Sequence, residues 1–170
     1  MTGKALLVID MLNDFILEGA PLEVPGGRDI IPNIKREIDR AHQEGYPVYY
    51  LCDNHSEDDP ELKVWSPHCL KDTPGAEIVA PLKPSPQDKV IKKTRYDGFL
   101  NTDLEEQLRK DGVTELLLTG VTTEICIHYT GAAAIMRGFK VTVIDDCVSA
   151  LFEDRGKAAL GMLREVLQPA

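Results

Sequence analysis

Ala5-Leu6-Leu7-Val8-Ile9-Asp10 decides how this chain is read: five uninterrupted apolar residues closed by an acid. An apolar run without alternation marks a strand buried on both faces, as in a parallel sheet covered by helices. Reading outward, Ile30, Ile31, Ile34, Ile38 and Ala41 recur at helical spacing until Gly45 and Pro47 stop the helix. Val48 to Leu51 is a second strand ending at Asp53, and Val90 and Ile91 form a third leading into Lys93. Thr102-Asp103-Leu104-Glu105 has the form of a capping box, Thr102 holding an orphan amide and Glu105 reaching back, for a helix to about Lys110. Glu115 to Thr119 is a strand, Thr123 to Arg137 a helix, Lys140 to Ile144 a strand, and Leu160, Leu163 and Leu167 share one face of a last helix. Residues 54–87 carry many prolines and acids with little periodicity, and are read as an excursion over the surface. The alternation predicts an α/β fold, a three-layer α-β-α sandwich with a mostly parallel central sheet, in one domain over 1–170.

Composition narrows the function. The 170 residues carry a formal net charge of -9, which repels phosphate backbones and argues against nucleic-acid binding. No apolar run is long enough to span a membrane and the first residues run straight into a strand, so a soluble, cytoplasmic protein is expected. Four cysteines without a C-x-x-C pair (Cys52, Cys69, Cys126, Cys147) suit free thiols in a reducing compartment.

In open α/β sheets, ligands bind beyond the carboxyl ends of the strands. Asp10, Asp53, Lys93 and Gly120 to Cys126 all fall there. Cys126 follows a strand and the turn Gly120-Val121-Thr122-Thr123, in the first turn of the next helix. Unpaired amides and the helix dipole at that place favour a thiolate and suit the oxyanion formed when a thiolate attacks a carbonyl. The plainer reading, a buried cysteine packed as a small hydrophobe, is given to Cys52, Cys69 and Cys147. His128 lies two positions beyond Cys126 and faces elsewhere on a helix, so the base is sought among carboxylates, and Asp10 at the end of an apolar strand is the candidate. Lys93 supplies a positive charge that lowers the thiol pKa and orients Asp10, with Lys92 its rival. Asp53, His55, Glu61 and His68 together suit a divalent metal, zinc or the harder manganese or iron, whereas Asp58 and Asp59 read as solvated loop charge.

These residues carry a resemblance. The chain resembles the isochorismatase-like cysteine hydrolases and within them is most similar to nicotinamidases. The run Ala5 to Phe15 resembles the family's first strand with its catalytic acid, and Gly19 to Pro25 the loop after it. Asp53-x-His55, Trp65-Ser66-Pro67-His68-Cys69 and Thr73-Pro74-Gly75-Ala76-Glu77 resemble the metal segment. Lys93 to Phe99 resembles the catalytic-lysine strand end, and Gly120 to Cys126 the nucleophile turn. The resemblance implies an isochorismatase-like hydrolase fold and a catalytic set of Asp10, Lys93 and Cys126. It also implies a cis Val121–Thr122 peptide, an oxyanion hole from the Thr122 and Cys126 amides, and a pyridine ring held by Phe15, Trp65 and Tyr96. A metal held by Asp53, His55, Glu61 and His68 would be zinc, manganese or iron, bind the ring nitrogen, and take no part as nucleophile. The implied partners are a small-molecule amide and further copies of the chain, with no nucleic acid and no membrane. Other readings stay open at this point: a ureide or carbamoyl amidohydrolase, isochorismatase-type vinyl-ether hydrolysis, a metal-hydroxide hydrolase, and a catalytically silent binding module.

Overall fold

The computed structural model describes residues 3–168. Five strands make one sheet in the order β3-β2-β1-β4-β5, every neighbouring pair parallel: β1 (Lys4–Ile9), β2 (Val48–Asp53), β3 (Lys89–Lys93), β4 (Glu115–Val121) and β5 (Lys140–Ser149). The apolar opening run is the central strand. Ala5, Leu7 and Ile9 belong to the core on one face, and Leu6 and Val8 to the core on the other, all at most 1% exposed. Each fully buried leucine or isoleucine contributes roughly 1.5–3 kcal/mol over its exposed state. The lack of alternation in the sequence is therefore the direct consequence of two apolar faces.

Helix α2 (Ile31–Glu44) covers one face with Ile34, Ile38 and Ala41. It ends at Gly45, whose φ of 75° is the left-handed cap conformation that glycine adopts without steric cost. A short helix α1 (Asn13–Ile16) follows β1 and packs on the same core. Helices α3 (Leu104–Lys110), α4 (His128–Met136) and α5 (Glu153–Gly161), with the wide turn Met162–Val166, lie with the opposite core; Leu163 is buried there and Leu160 and Leu167 pack against it. This is the expected three-layer arrangement, with a sheet that is wholly parallel.

Four local expectations need correction. Strand β5 does not stop at Ile144: the register jumps from Leu118–Val143 to Gly120–Val148, so a bulge carries the polar Asp145 and Asp146 and pairing then resumes. Cys147 therefore lies within the strand. The capping box at Thr102 forms only by half: Thr102 Oγ1 accepts the Leu104 amide at 3.4 Å, but Glu105 does not reach back. Asp103 is the N-cap without a side-chain bond, Thr102 Oγ1 donates to the Gly98 carbonyl at 2.6 Å, and Glu105 pairs instead with Arg109 and Arg137. The helix after β4 opens with a π-helical turn, Thr123–Ile127, before α4 begins at His128. Finally, residues 54–87 form a roof over one end of the sheet. His55, Asp59, Glu61, His68, Cys69, Val79 and Leu82 are buried in it, and it is pinned by a parallel bridge between His55 and Leu70 and by the Cys69 amide donating to Asp14 Oδ2 at 2.7 Å.

Candidate active site

The strand order reverses direction between β1 and β4, the place where doubly wound sheets open a crevice. Asp10 leaves the end of β1 at a φ of 51°, a left-handed conformation that costs a non-glycine residue roughly 1–2 kcal/mol. Its amide donates to the Leu51 carbonyl at 2.8 Å, and its Oδ1 accepts the Asp53 amide at 2.9 Å. Next door, Gly120 has a φ of 109°, and a Cβ there would sit 1.9 Å from the Ile9 carbonyl oxygen. Only glycine lets the end of β4 approach β1 this closely.

Into this crevice β3 delivers Lys93. The burial pattern along β3 alternates so that Lys92 is exposed and Lys93 is 1% exposed, which decides between the two lysines. Lys93 Nζ lies 2.8 Å from Asp10 Oδ2, 2.5 Å from Asp53 Oδ1 and 3.7 Å from Cys126 Sγ. Asp10, Asp53 and Cys126 have polar atoms within 4.8 Å of one another. Burial, reinforced by the Asp53 carboxylate, raises the Asp10 pKa to about 6 against the pull of Lys93. Burial alone lowers the Lys93 pKa, but Asp10 and Asp53 more than offset it and hold the ammonium well above its usual value. For Cys126 the surroundings work against a resting thiolate. Burial and the two carboxylates push the thiol pKa well above its usual value despite Lys93, so the resting sulfur is a neutral thiol beside a basic carboxylate.

Above these groups is a cleft of about 400 Å³ including its open mouth, lined by Phe15, Leu22, Val24, Trp65, Tyr96, Ile125 and Leu151 with Asp10 and Cys126 at its floor. Phe15, Trp65 and Tyr96 all reach it, and the Trp65 indole N–H donates to the Tyr96 hydroxyl at 2.9 Å across the wall. Thr122 also lines the cleft, the Val121–Thr122 peptide is cis, and the buried Thr122 Oγ1 has no hydrogen-bond partner. Cys52, Cys69 and Cys147 are free, buried thiols outside this cleft lining.

Along one wall of the cleft, which Asp53, Glu61 and His68 help to line, Asp53, His55, Glu61 and His68 are all buried, each offering a ligand atom within 4.8 Å of the others. His55 Nε2 lies 3.6 Å from Asp53 Oδ2 and 3.9 Å from Glu61 Oε1; His68 Nε2 lies 4.0 Å from the same Asp53 oxygen. The outer ring nitrogens are already occupied, His55 Nδ1 by Asp59 Oδ2 at 3.1 Å and His68 Nδ1 by the Ser66 carbonyl at 2.8 Å. The buried His55 Nε2 has no hydrogen-bond partner, an orphan that a cation would satisfy. Burial and Asp53 raise the Glu61 pKa to about 7 against the pull of His55, Lys93 and Arg95. A divalent cation with nitrogen and oxygen ligands fits this donor set. Asp53 links the two halves, one oxygen on Lys93 and the other facing both imidazoles.

One residue was misplaced by sequence reasoning. Asp58 is exposed as expected, but Asp59 is buried, capping the turn Pro60–Lys63 through the Glu61 amide and pairing with His55 and Arg95. The signal was present in Asp59-Pro60, an N-cap acid before proline.

The isochorismatase domain family matches residues 4–169. A protein of Arabidopsis thaliana described as a probable inactive nicotinamidase is 38% identical over 159 residues, 87% of this chain and 81% of that one. The zinc complex of a pyrazinamidase from Pyrococcus horikoshii superposes with a TM-score of 0.90 at 32% identity, over 95% of this chain and 94% of the other. An N-carbamoylsarcosine amidase from Thermoplasma acidophilum does so with a TM-score of 0.87 at 33% identity, over 93% and 90%. With the strand order, the crevice and these likenesses in agreement, this chain belongs to the isochorismatase family, whose relatives are hydrolases acting on amides.

Proposed function

We propose that this chain is a cysteine amidohydrolase that converts nicotinamide and water to nicotinic acid and ammonia. The observation that carries the reading is the contact of one buried ammonium with Asp10, Asp53 and the Cys126 sulfur at the floor of an aromatic-walled cleft. In the proposed reaction Asp10, poised near neutral pH, takes the Cys126 proton as the sulfur attacks the carboxamide carbon. The proton transfer to Asp10 is what makes the sulfur nucleophilic, since burial holds the Cys126 thiol above its usual pKa. Lys93 keeps Asp10 anionic and in place. The oxyanion is assigned to the Thr122 and Cys126 amides, Asp10 returns its proton to the leaving ammonia, and water activated by Asp10 then cleaves the thioester, restoring the thiol and releasing the acid. Asp53, His55, Glu61 and His68 would hold the metal, taken as zinc, which supplies a Lewis-acid anchor for a ring nitrogen.

The cleft lining favours a flat, uncharged ring. Among the described residues no arginine or lysine lines the cleft, so a substrate with a free carboxylate, such as an N-carbamoyl amino acid, would find no side-chain cation there and only the proposed metal to pair with. Whereas the Arabidopsis relative is described as probably inactive, this chain is read as active because acid, cation and thiol are all present within reach. The test is incubation of zinc-loaded protein with nicotinamide and detection of nicotinic acid and ammonia, beside a ureide and an N-carbamoyl amino acid. Ammonia from the carbamoyl compound alone would overturn the substrate; turnover surviving in Cys126→Ala would overturn the nucleophile.

A further inference from the structure

Resting on that reading of the metal site, we propose that Asp59 and Arg95 form an outer clamp that sets the site's affinity for its metal, with Asp59 as a positioning residue for two ligands at once. Asp59 Oδ2 meets His55 Nδ1 at 3.1 Å while Oδ1 accepts the Glu61 amide at 2.9 Å. The first bond keeps the ring proton on Nδ1 and leaves the Nε2 lone pair facing Asp53 and Glu61. The second fixes the start of the turn that carries the Glu61 carboxylate. Arg95 closes the arrangement from the other side, its Nη1 3.0 Å from both Asp59 oxygens. Arg95 lies two residues beyond Lys93, so the same chain segment that supplies the buried ammonium also ties down the metal roof.

The two imidazoles are treated differently. His68 Nδ1 meets a neutral carbonyl, whereas His55 Nδ1 meets a carboxylate whose side chain is 6% exposed. A buried carboxylate behind an imidazole makes the ring a stronger donor to a cation than a carbonyl does. A surface acid would not have this effect, and Asp59 owes its burial to the roof.

Asp59→Asn separates this role from simple packing. The asparagine is nearly isosteric, and if its amide oxygen stays on the Glu61 N–H its NH2 group faces His55 Nδ1. That moves the ring proton to Nε2, the atom that must bind the cation. Competition of metal-free protein against a chromogenic chelator for zinc should show wild type binding one zinc, Asp59→Asn binding it roughly 10–100-fold more weakly, and Arg95→Gln weakened in the same direction by less. Nitrogen NMR of metal-free protein, at a pH alkaline enough for His55 to be neutral, should find the His55 proton on Nδ1 in wild type and on Nε2 in the variant, a readout that a general loss of stability would not produce. If wild type binds zinc and Asp59→Asn binds it equally well, the clamp is overturned and the metal reading stands. If wild type binds no zinc, both fall. Should Asp59→Asn fail to fold, the wild-type spectrum decides alone: a bare Nδ1 overturns the clamp, a protonated one supports it.

Discussion

Lys89 and Lys93 stand four residues apart on one strand, each within hydrogen-bonding distance of an aspartate, and they live in opposite worlds. Lys89, at the start of β3, meets Asp111 at 2.6 Å and the Tyr49 hydroxyl at 3.1 Å, with side chains one-third and one-quarter exposed. Lys93, at the other end, meets Asp10 and Asp53 with no exposed side-chain surface of its own. Water reaches the first pair and the segment 54–87 roofs the second. The same charge pairing is therefore a modest surface contact at one end of the sheet and an electrostatic device at the other. Burial, not composition, makes the difference.

The contrast breaks most severely in Lys93→Ala. Two buried carboxylates lose their cation, and unfolding in urea should show a loss of about 3–5 kcal/mol, together with amidase activity reduced to background. Asp10→Asn is next. It removes the base and leaves the fold, so ammonia release should drop roughly 10²–10⁴-fold with a near wild-type denaturation midpoint. Removing zinc by chelation should raise KM for a ring-nitrogen amide more than it lowers kcat, and should lower the thermal midpoint, because ligand bound only to the folded state stabilises it. Smallest of all, Lys89→Ala should cost at most about 1 kcal/mol with activity unchanged.

The surface pair also has a pH signature with a definite sign. Burial works against Asp111, but its bonds from Lys89 and Tyr49 hold the carboxyl below its usual value. A folded-state pKa below the unfolded one gives stability that is fully present above the unfolded value of 3.8 and is lost as pH falls through the folded value. The stability gap between wild type and Lys89→Ala should therefore be constant near neutrality and shrink in strong acid, as read from urea midpoints across pH.

The sequence made the sheet legible because two-sided burial leaves an unmistakable apolar run, and Gly45 marked a helix end that glycine alone caps cheaply. It made Asp10, Lys93 and Cys126 legible because each follows or closes a strand on the side where crevices open. What it hid depended on chain paths it does not encode locally. Asp59-Pro60 marked a capping acid, but nothing nearby says that the roof turns that cap inward while Asp58 stays exposed. Thr102 had a capping box's spacing and does accept the Leu104 amide, but Glu105 is drawn away to Arg109 and Arg137. The bulge in β5 broke the strand's apolar pattern at Asp145 and Asp146, which is where pairing is interrupted. The pull on the Cys126 thiol was only half visible for the same reason: helix position and Lys93 favour a thiolate, while burial, then the carboxylates of Asp10 and Asp53, work against it.

Gly120 gives the crevice a weak point that no substrate ever touches. Any side chain at 120 must push β4 away from the Ile9 carbonyl, and with it the whole stretch leading to Cys126 moves relative to Asp10. A saturation screen that selects for turnover would therefore flag position 120 as if it were chemical machinery. Mutational intolerance here reports the spacing between two strands, and the distinction is invisible to any assay that scores activity alone.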